Sequence, residues 1–373
     1  MSFGRDMCLR HVMRLRRIER RERMKGTDIR SLLPQELEAF LAEYGEPKYR
    51  AKQIFSRLAA GDAISEMTNL SKSLREKLDS DCEDRSLKVE KKLVSALDGT
   101  VKYLFRLCDG ECIESVFMKY KHGNTLCISC QVGCRMGCRF CASTIGGRIR
   151  NLEPSEMLGQ IIAAQKDTGE RVSNIVMMGI GEPLDNYENV KKFLQLVNCE
   201  GGLNIGYRHI SLSTCGLADK IRLLAHEQLP ITLSVSLHAS NNEARSAIMP
   251  INNKYAIDEL LSACVYYYSE TKRRISFEYT LISGKNDSEN DARSLSSLLK
   301  SYFDKIGAPI HVNLIRVNEV KETGFKRGDK ESITRFAQIL EKAGITATLR
   351  RRLGTDVNAA CGQLRRNTAS PQE

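Results

Sequence analysis

Three closely spaced cysteines are the residues of this chain best suited to chemistry. Cys134, Cys138 and Cys141 fall in the run Cys134-Arg-Met-Gly-Cys138-Arg-Phe-Cys141, with glycines at 133 and 137. Three thiolates on one short loop can wrap a single soft metal centre. A structural zinc ion closes a shell of four ligands, so zinc here would need a distant fourth cysteine. A 4Fe-4S cluster can be held through three of its irons, leaving the fourth open for reaction. The spacing therefore favours an iron–sulfur cluster, with zinc as the alternative.

Other groups could serve the same centre. Gly179-Ile-Gly181-Glu182 follows an expected strand; its glycines would let a ligand approach the backbone, and its carboxylate could accept hydrogen bonds from an ammonium. Ser213, Ser236, His238 and Asn318 sit at expected strand ends and offer hydroxyl, imidazole and amide groups. Taken singly, each reads as an ordinary polar loop residue; their shared position singles them out. Cys361 lies in a loop of small residues, Asn358-Ala-Ala-Cys361-Gly362, that could bring a thiol close to a substrate, and Cys127 lies far from it in sequence. From the residues alone, this pair is open between reactive thiols and two buried, inert ones.

The scaffold that must position these groups is written in periodicities. From Asp28 to about Cys82 the apolar residues recur at three- and four-residue spacing (Leu33, Leu37, Phe40, Leu41, Tyr44; then Ile54, Phe55, Leu58), which predicts helices. Between Leu87 and Tyr120 the period becomes two, with Val101, Tyr103, Phe105 and Leu107 on one face and turns at Asp98-Gly99 and Asp109-Gly110. From Leu126 onward strands and helices alternate. Strands are expected from Leu126, Asn174, His209, Ile231, Ile275 and Ile310, helices over 155–166, 187–198, 256–269, 287–301 and 330–343, and a last strand near 346–351. The expected fold is α/β: a partial (β/α)6 barrel preceded by a small helical N-terminal domain, with a short β meander between them. A doubly wound sheet is the alternative, and chemical residues at strand exits favour the barrel. The expected divisions are a basic, disordered extension over 1–23, a helical domain over 24–95, a β linker over 96–125, the barrel over 126–364 and a tail over 365–373. Met24 offers a second possible start.

The chain of 373 residues carries a net charge of +11. Residues 1–23 hold eight arginines against Asp6, Glu19 and Glu22, so they supply +5, leaving a mild +6 over the rest. Nucleic acid is the first partner this suggests. Lys48, Arg50, Lys52 and Arg57 could face RNA phosphates or simply be solvated. Without Trp, and with scattered Phe and Tyr, no base-stacking platform stands out. The 13 cysteines are about 3.5% of the chain, below the roughly 8–10% of a disulfide scaffold. No apolar run nears the roughly 18 residues of a membrane span and no signal-peptide core opens the chain, so a cytoplasmic protein is expected.

A CxxxCxxC run after the first strand of a (β/α) domain, with Phe140 before the last cysteine, resembles the radical S-adenosylmethionine (SAM) superfamily. In that superfamily the open iron binds the amino and carboxylate groups of SAM, and an electron splits SAM to a 5′-deoxyadenosyl radical. Further segments narrow the match: Leu126-Cys127-Ile-Ser-Cys-Gln-Val-Gly-Cys134, Met177-Met-Gly-Ile-Gly-Glu-Pro-Leu184, Ser211-Leu-Ser-Thr214, Ser236-Leu-His238, Val312-Asn-Leu-Ile and Ala359-Ala-Cys361-Gly-Gln. With the helical N-terminal part they resemble the RlmN/Cfr family of RNA adenosine methyltransferases, from about Met24 to Leu364.

The resemblance implies one 4Fe-4S cluster on Cys134, Cys138 and Cys141, and two SAM per turnover. It implies SAM binding by Gly181, Glu182, Ser213, Ser236, Leu237, His238 and Asn318. Cys361 would carry the methyl group, Cys127 would resolve the covalent RNA adduct by forming a transient disulfide, and Glu114 would be the general base. The implied substrate is carbon-2 of adenosine in 23S rRNA, at the peptidyl transferase centre, and in tRNA, 3′ of the anticodon. A flavodoxin- or ferredoxin-type electron donor and a monomer are implied too. Two residues depart from the usual carbon-2 pattern: Cys130 stands where Ser is usual, and Arg316 where Pro is common and the carbon-8 branch has Arg. Glu182-Pro183 favours the carbon-2 branch. Carbon-8 methylation is thus one alternative. A non-catalytic iron–sulfur RNA-binding protein is another, though it would leave Cys361, Glu114 and Gly-Ile-Gly-Glu without a purpose.

Overall fold

The computed structural model describes residues 26–318 and 324–357; the basic arm and Cys361 lie outside the described residues. Three helices open it: α1 (Pro34–Ala42), α2 (Lys48–Ala60) and α3 (Lys72–Asp81). The apolar residues at helical spacing are the buried ones: Leu37 and Leu41 on α1; Ala51, Ile54, Phe55 and Leu58 on α2; Leu74 and Leu78 on α3. Ser71 caps α3 by accepting the Leu74 amide at 3.2 Å.

The strands follow as β1 (Lys88–Val94), β2 (Val101–Arg106), β3 (Cys112–Met118), β4 (Thr125–Cys127), β5 (Gln131–Gly133), β6 (Arg148–Asn151), β7 (Asn174–Met177), β8 (Ile210–Thr214), β9 (Thr232–Ser236), β10 (Ile275–Leu281), β11 (His311–Arg316) and β12 (Thr346–Leu349). β5 and β6 form a separate ribbon; the others form one sheet in the order β1-β2-β3-β4-β7-β8-β9-β10-β11-β12. β1 to β4 pair antiparallel as the expected meander. From β4 to β12 every pairing is parallel. The crossovers carry α4 (Pro154–Thr168), α5 (Tyr187–Asn198), α6 (Ala218–His226), α7 (Asn242–Ile248) with α8 (Ile257–Thr271), α9 (Glu289–Phe303) and α10 (Lys330–Lys342). This is the partial (β/α)6 barrel, continued past β4 by the meander instead of closing.

β10, covered on both faces, buries every residue, whereas β7, β8 and β11 alternate buried with half-buried residues. β2 departs from its expected single buried face, because Lys102 and Leu104 are buried as well as Val101, Tyr103 and Phe105. The second face turns into the barrel with Glu114 and Val116 of β3. The expected division at 95/96 falls in the β1–β2 turn, so β1 goes with the meander. The N-terminal helices share one continuous core with the barrel. They are also bonded to it: Ser155 Oγ donates to Asp28 at 2.6 Å, and the Ser155 amide donates to Ser31 Oγ at 2.9 Å. Among the described residues no helix is long and apolar enough to cross a membrane.

Candidate functional site

The exits of the parallel strands surround a cleft of about 550 Å³, the face on which (β/α) barrels place their sites. Cys134, Cys138 and Cys141 line it together with Cys127, Gly181, Glu182, Ser213, Ser236, His238 and Asn318. Leu237 points away and is fully buried in the core. Glu114 is buried too, outside the lining of the cleft.

The loop with the three thiols runs between the two strands of the β5–β6 ribbon. The Arg139 amide donates to the Ile248 carbonyl at 2.9 Å, and Thr144 Oγ1 donates to the Cys141 carbonyl at 2.9 Å. Asp185 anchors both ends, taking Arg135 at 2.5 Å and Arg148 at 3.1 Å. Burial, reinforced by neighbouring charges including one another, pushes the Cys134 thiol up to about 12 and Cys138 well above its usual range. A cationic centre inverts that balance, since a coordinating thiol is deprotonated outright. Among the described residues no three His, Cys, Asp or Glu side chains converge as they would on a single metal ion. The donors are three soft sulfurs spread along one loop that opens on a cleft, a set that fits a 4Fe-4S cluster.

The Gly179-Ile-Gly181 turn is closely packed on its far side. A Cβ on Gly179 would lie 2.5 Å from the Ile128 carbonyl oxygen, and one on Gly181, at φ +111°, 2.7 Å from Gln131 Cβ. The glycines are needed because the exits of β7 and β4 pack closely there, and both also line the cleft. Glu182 is committed in part to the scaffold. Its Oε1 accepts the Leu184 amide at 3.0 Å and its Oε2 the Cys215 amide at 2.7 Å, which ties the ends of β7 and β8 together. Burial raises its pKa against these bonds.

His238 has a positive φ of +59°. Its Nδ1 accepts the Thr280 amide at 2.9 Å and its carbonyl accepts Asn286 Nδ2 at 2.8 Å. The ring proton is therefore on Nε2. Burial, with the Arg245 charge second, holds its pKa down to about 3, so the imidazole is a neutral donor. Its ring meets Phe140 edge-on, with centroids 5.0 Å apart. Cys127 is buried at the wall, packed with Val116, Met118 and Leu353. The β3–β4 register pairs Val116 with Cys127, and Glu114 lies two residues before Val116 on the same face. Its carboxylate pairs with Lys102 Nζ at 3.0 Å.

Several residues of the site were not singled out from the sequence. Arg245 on α7 is fully buried and donates to the carbonyls of Cys215 (2.7 Å), Ser236 (3.1 Å) and Leu237 (3.1 Å) and to Asn252 Oδ1 (3.0 Å). It knits the exits of β8 and β9. Glu278 of β10 lines the cleft, accepts Asn313 Nδ2 at 2.8 Å, and has its pKa raised by burial. An acidic residue inside the apolar run Ile275–Leu281 was the signal that could have found it. Arg327, Arg350, Arg351 and Arg352 join Arg316, which the sequence had already marked, in giving the cleft a cationic lining.

Comparison with known proteins agrees with this geometry. Residues 128–295 match the Radical SAM superfamily, and residues 27–83 match the family described as Ribosomal RNA large subunit methyltransferase N-terminal domain. A Clostridium botulinum protein (strain Eklund 17B / Type B) named "Probable dual-specificity RNA methyltransferase RlmN" is 56% identical over 340 residues, covering 91% of this chain and 96% of that relative. A protein of the same name from Alkaliphilus oremlandii is 54% identical over 344 residues, covering 92% and 98%. The crystal structure of a radical SAM methyltransferase from Sphaerobacter thermophilus superposes with a TM-score of 0.85 at 43% identity, covering 90% of this chain and 98% of that one. Relatives with an enzyme's name along nearly the whole chain set aside the non-catalytic alternative. The chain belongs to the RlmN family of radical SAM RNA methyltransferases.

Proposed function

We propose that the protein methylates carbon-2 of adenosine in 23S rRNA, at the peptidyl transferase centre, and in tRNA, 3′ of the anticodon, by way of a methylated Cys361 and a transient Cys127–Cys361 disulfide. The observation that carries the proposal is the meeting of Cys127 with the Cys134-Cys138-Cys141 loop, Glu182, Ser213, Ser236 and His238 on one cleft. The names of the RlmN relatives, which call them dual-specificity RNA methyltransferases, support the pair of RNA substrates.

Cys134, Cys138 and Cys141 would hold the cluster; Glu182, Ser213, Ser236, His238 and Asn318 would hold SAM, with the backbone of Gly181 and Leu237. When bound, the cluster supplies the electron, drawn from a flavodoxin- or ferredoxin-type donor, that splits SAM reductively. One turnover uses two SAM. The Cys361 thiolate attacks the methyl of the first; a sulfur–carbon bond forms, the sulfonium–methyl bond breaks, and S-adenosylhomocysteine leaves. After a hydrogen atom is removed from this S-methyl by the radical from the second SAM, its methylene carbon bonds to carbon-2 of an adenine drawn out of its stack, and the odd electron this leaves on the ring would return to the oxidised cluster. Glu114 takes the proton lost from carbon-2, with Lys102 as its partner. The Cys127 thiolate then attacks the Cys361 sulfur; the sulfur–carbon bond to the RNA breaks, its electron pair takes up a proton to complete the methyl group on carbon-2, and a disulfide forms, which two external electrons reopen.

The test is Cys127→Ala. A protein–RNA adduct stable to denaturing electrophoresis is expected, and release of free methylated RNA from this variant would contradict the role given to Cys127. Arg316 favours the second reading, carbon-8 methylation, and the identity of the methylated nucleoside separates the two.

A further inference from the structure

Between β12 and Cys361 the chain is tied to the turn that joins β1 and β2. The Gly354 amide donates to Asp98 Oδ2 at 2.8 Å. Ser95 Oγ donates to Asp356 Oδ1 at 2.7 Å, and the Ala96 amide donates to Asp356 Oδ2 at 2.9 Å. These bonds close loops of 256 to 261 residues, so they join two parts of the chain that nothing local brings together.

The turn is ordered by bonds of its own. The Ser95 amide donates to the Thr100 carbonyl at 2.8 Å, the Thr100 amide donates to Asp98 Oδ1 at 3.0 Å, and Ser95 Oγ accepts the Leu97 amide at 3.2 Å. Burial works against a charge on Asp98, but the bonds it accepts from Gly354 and Thr100 outweigh it and hold its pKa down to about 2. The bond from Ser95, with that from the Ala96 amide, likewise lowers the pKa of Asp356, so both carboxylates are ionised acceptors, which make the stronger kind of hydrogen bond. Just before the tied segment, Leu353 packs against Val116, Met118 and Cys127. The same four residues of chain thus touch both the turn and the wall that holds Cys127.

We propose that the β1–β2 turn is a latch for the segment leading to Cys361, with Ser95, Asp98 and Asp356 as positioning residues that keep that thiol within reach of the cleft. Cys361 is five residues past Asp356, so even a fully extended chain holds its Cα within about 18 Å of the anchor. An unlatched segment would be tethered only by β12 and Leu353 and would present the thiol at a lower effective concentration. The inference rests on Cys361 as the methyl carrier.

Asp356→Ala removes both bonds to that carboxylate, Ser95→Ala removes one, and Leu97→Ala, 72% exposed at the tip of the same turn, is the control. Two products are followed in cluster-loaded protein with SAM and reductant. One is methyl on Cys361, read by peptide mass spectrometry; the other is methionine set free by reductive cleavage of SAM, a step that needs the cleft but not Cys361. Hydrogen exchange of the peptide spanning 350–357 is measured without SAM or reductant. Asp356→Ala is expected to slow Cys361 methylation on the order of 10-fold, the scale of one or two net hydrogen bonds. It should leave methionine formation near wild type and speed exchange at Gly354. Ser95→Ala should do the same more weakly, adding little to Asp356→Ala in the double variant, as coupled groups do. Leu97→Ala should change none of these. Wild-type methylation of Cys361 in Asp356→Ala overturns the latch; so does equal loss of both products, which would make the contact a general prop of the cleft. A Cys361→Ala protein that still methylates RNA overturns the methyl-carrier assignment itself, and the latch with it.

Discussion

At the scale of single residues the site is a set of buried polar groups whose state is decided by what they touch. His238 is the clearest case, since an amide donating to Nδ1 and burial together keep it neutral. Between its ordinary value of 6.5 and about 3, the unfolded chain binds a proton at this position that the folded chain does not. Its contribution to stability is therefore full above pH 6.5 and is lost as pH falls toward 3. Urea midpoints measured from about pH 7.5 down to about 5 should fall more steeply for wild type than for His238→Gln, which does not titrate. Parallel curves would contradict this assignment. The sequence named His238, Glu182 and the cluster cysteines because short motifs place them. It could not tell what the glycines of Gly179-Ile-Gly181 face: spacing says that a side chain is excluded, and only the fold says by which atoms.

At the scale of elements, the barrel works by fixing the ends of its strands to one another. Arg245 is the strongest such tie, and replacing it with Leu would take this donor from three carbonyls, two of them buried. The expected loss is roughly 3 kcal/mol or more. Thermal and denaturant unfolding would measure it; a loss within about 1 kcal/mol would show that the exits of β8 and β9 hold without it. The parallel strands and most crossover helices were readable from their periods, because burial of one helix face or both strand faces writes itself into the sequence. Arg245 was not, since one arginine in a short segment after Asn241 looks like a solvated residue until the carbonyls around it are known. Lys102 was hidden for a related reason: alternation in β2 marks one apolar face and is silent about a charge buried on the other with Glu114 as partner.

At the scale of the whole molecule, the helical part, the meander and the barrel act as one body around a shared core. The basic residues of α2 are divided in their use. Arg50 pairs with Glu46 at 3.4 Å and Arg57 with Asp62, whereas Lys48 and Lys52 remain exposed. The arginines lining the cleft, invisible as a group in the sequence because they come from separate loops, are better placed to meet a polyanion where chemistry would occur. The central proposal is that this cleft delivers a methyl group to carbon-2 of an RNA adenosine. Nucleoside mass spectrometry tests it most directly, on 23S rRNA and tRNA transcripts incubated anaerobically with cluster-reconstituted protein, SAM and reductant. The account predicts 2-methyladenosine; 8-methyladenosine, or unmodified adenosine with a loaded cluster, would contradict it.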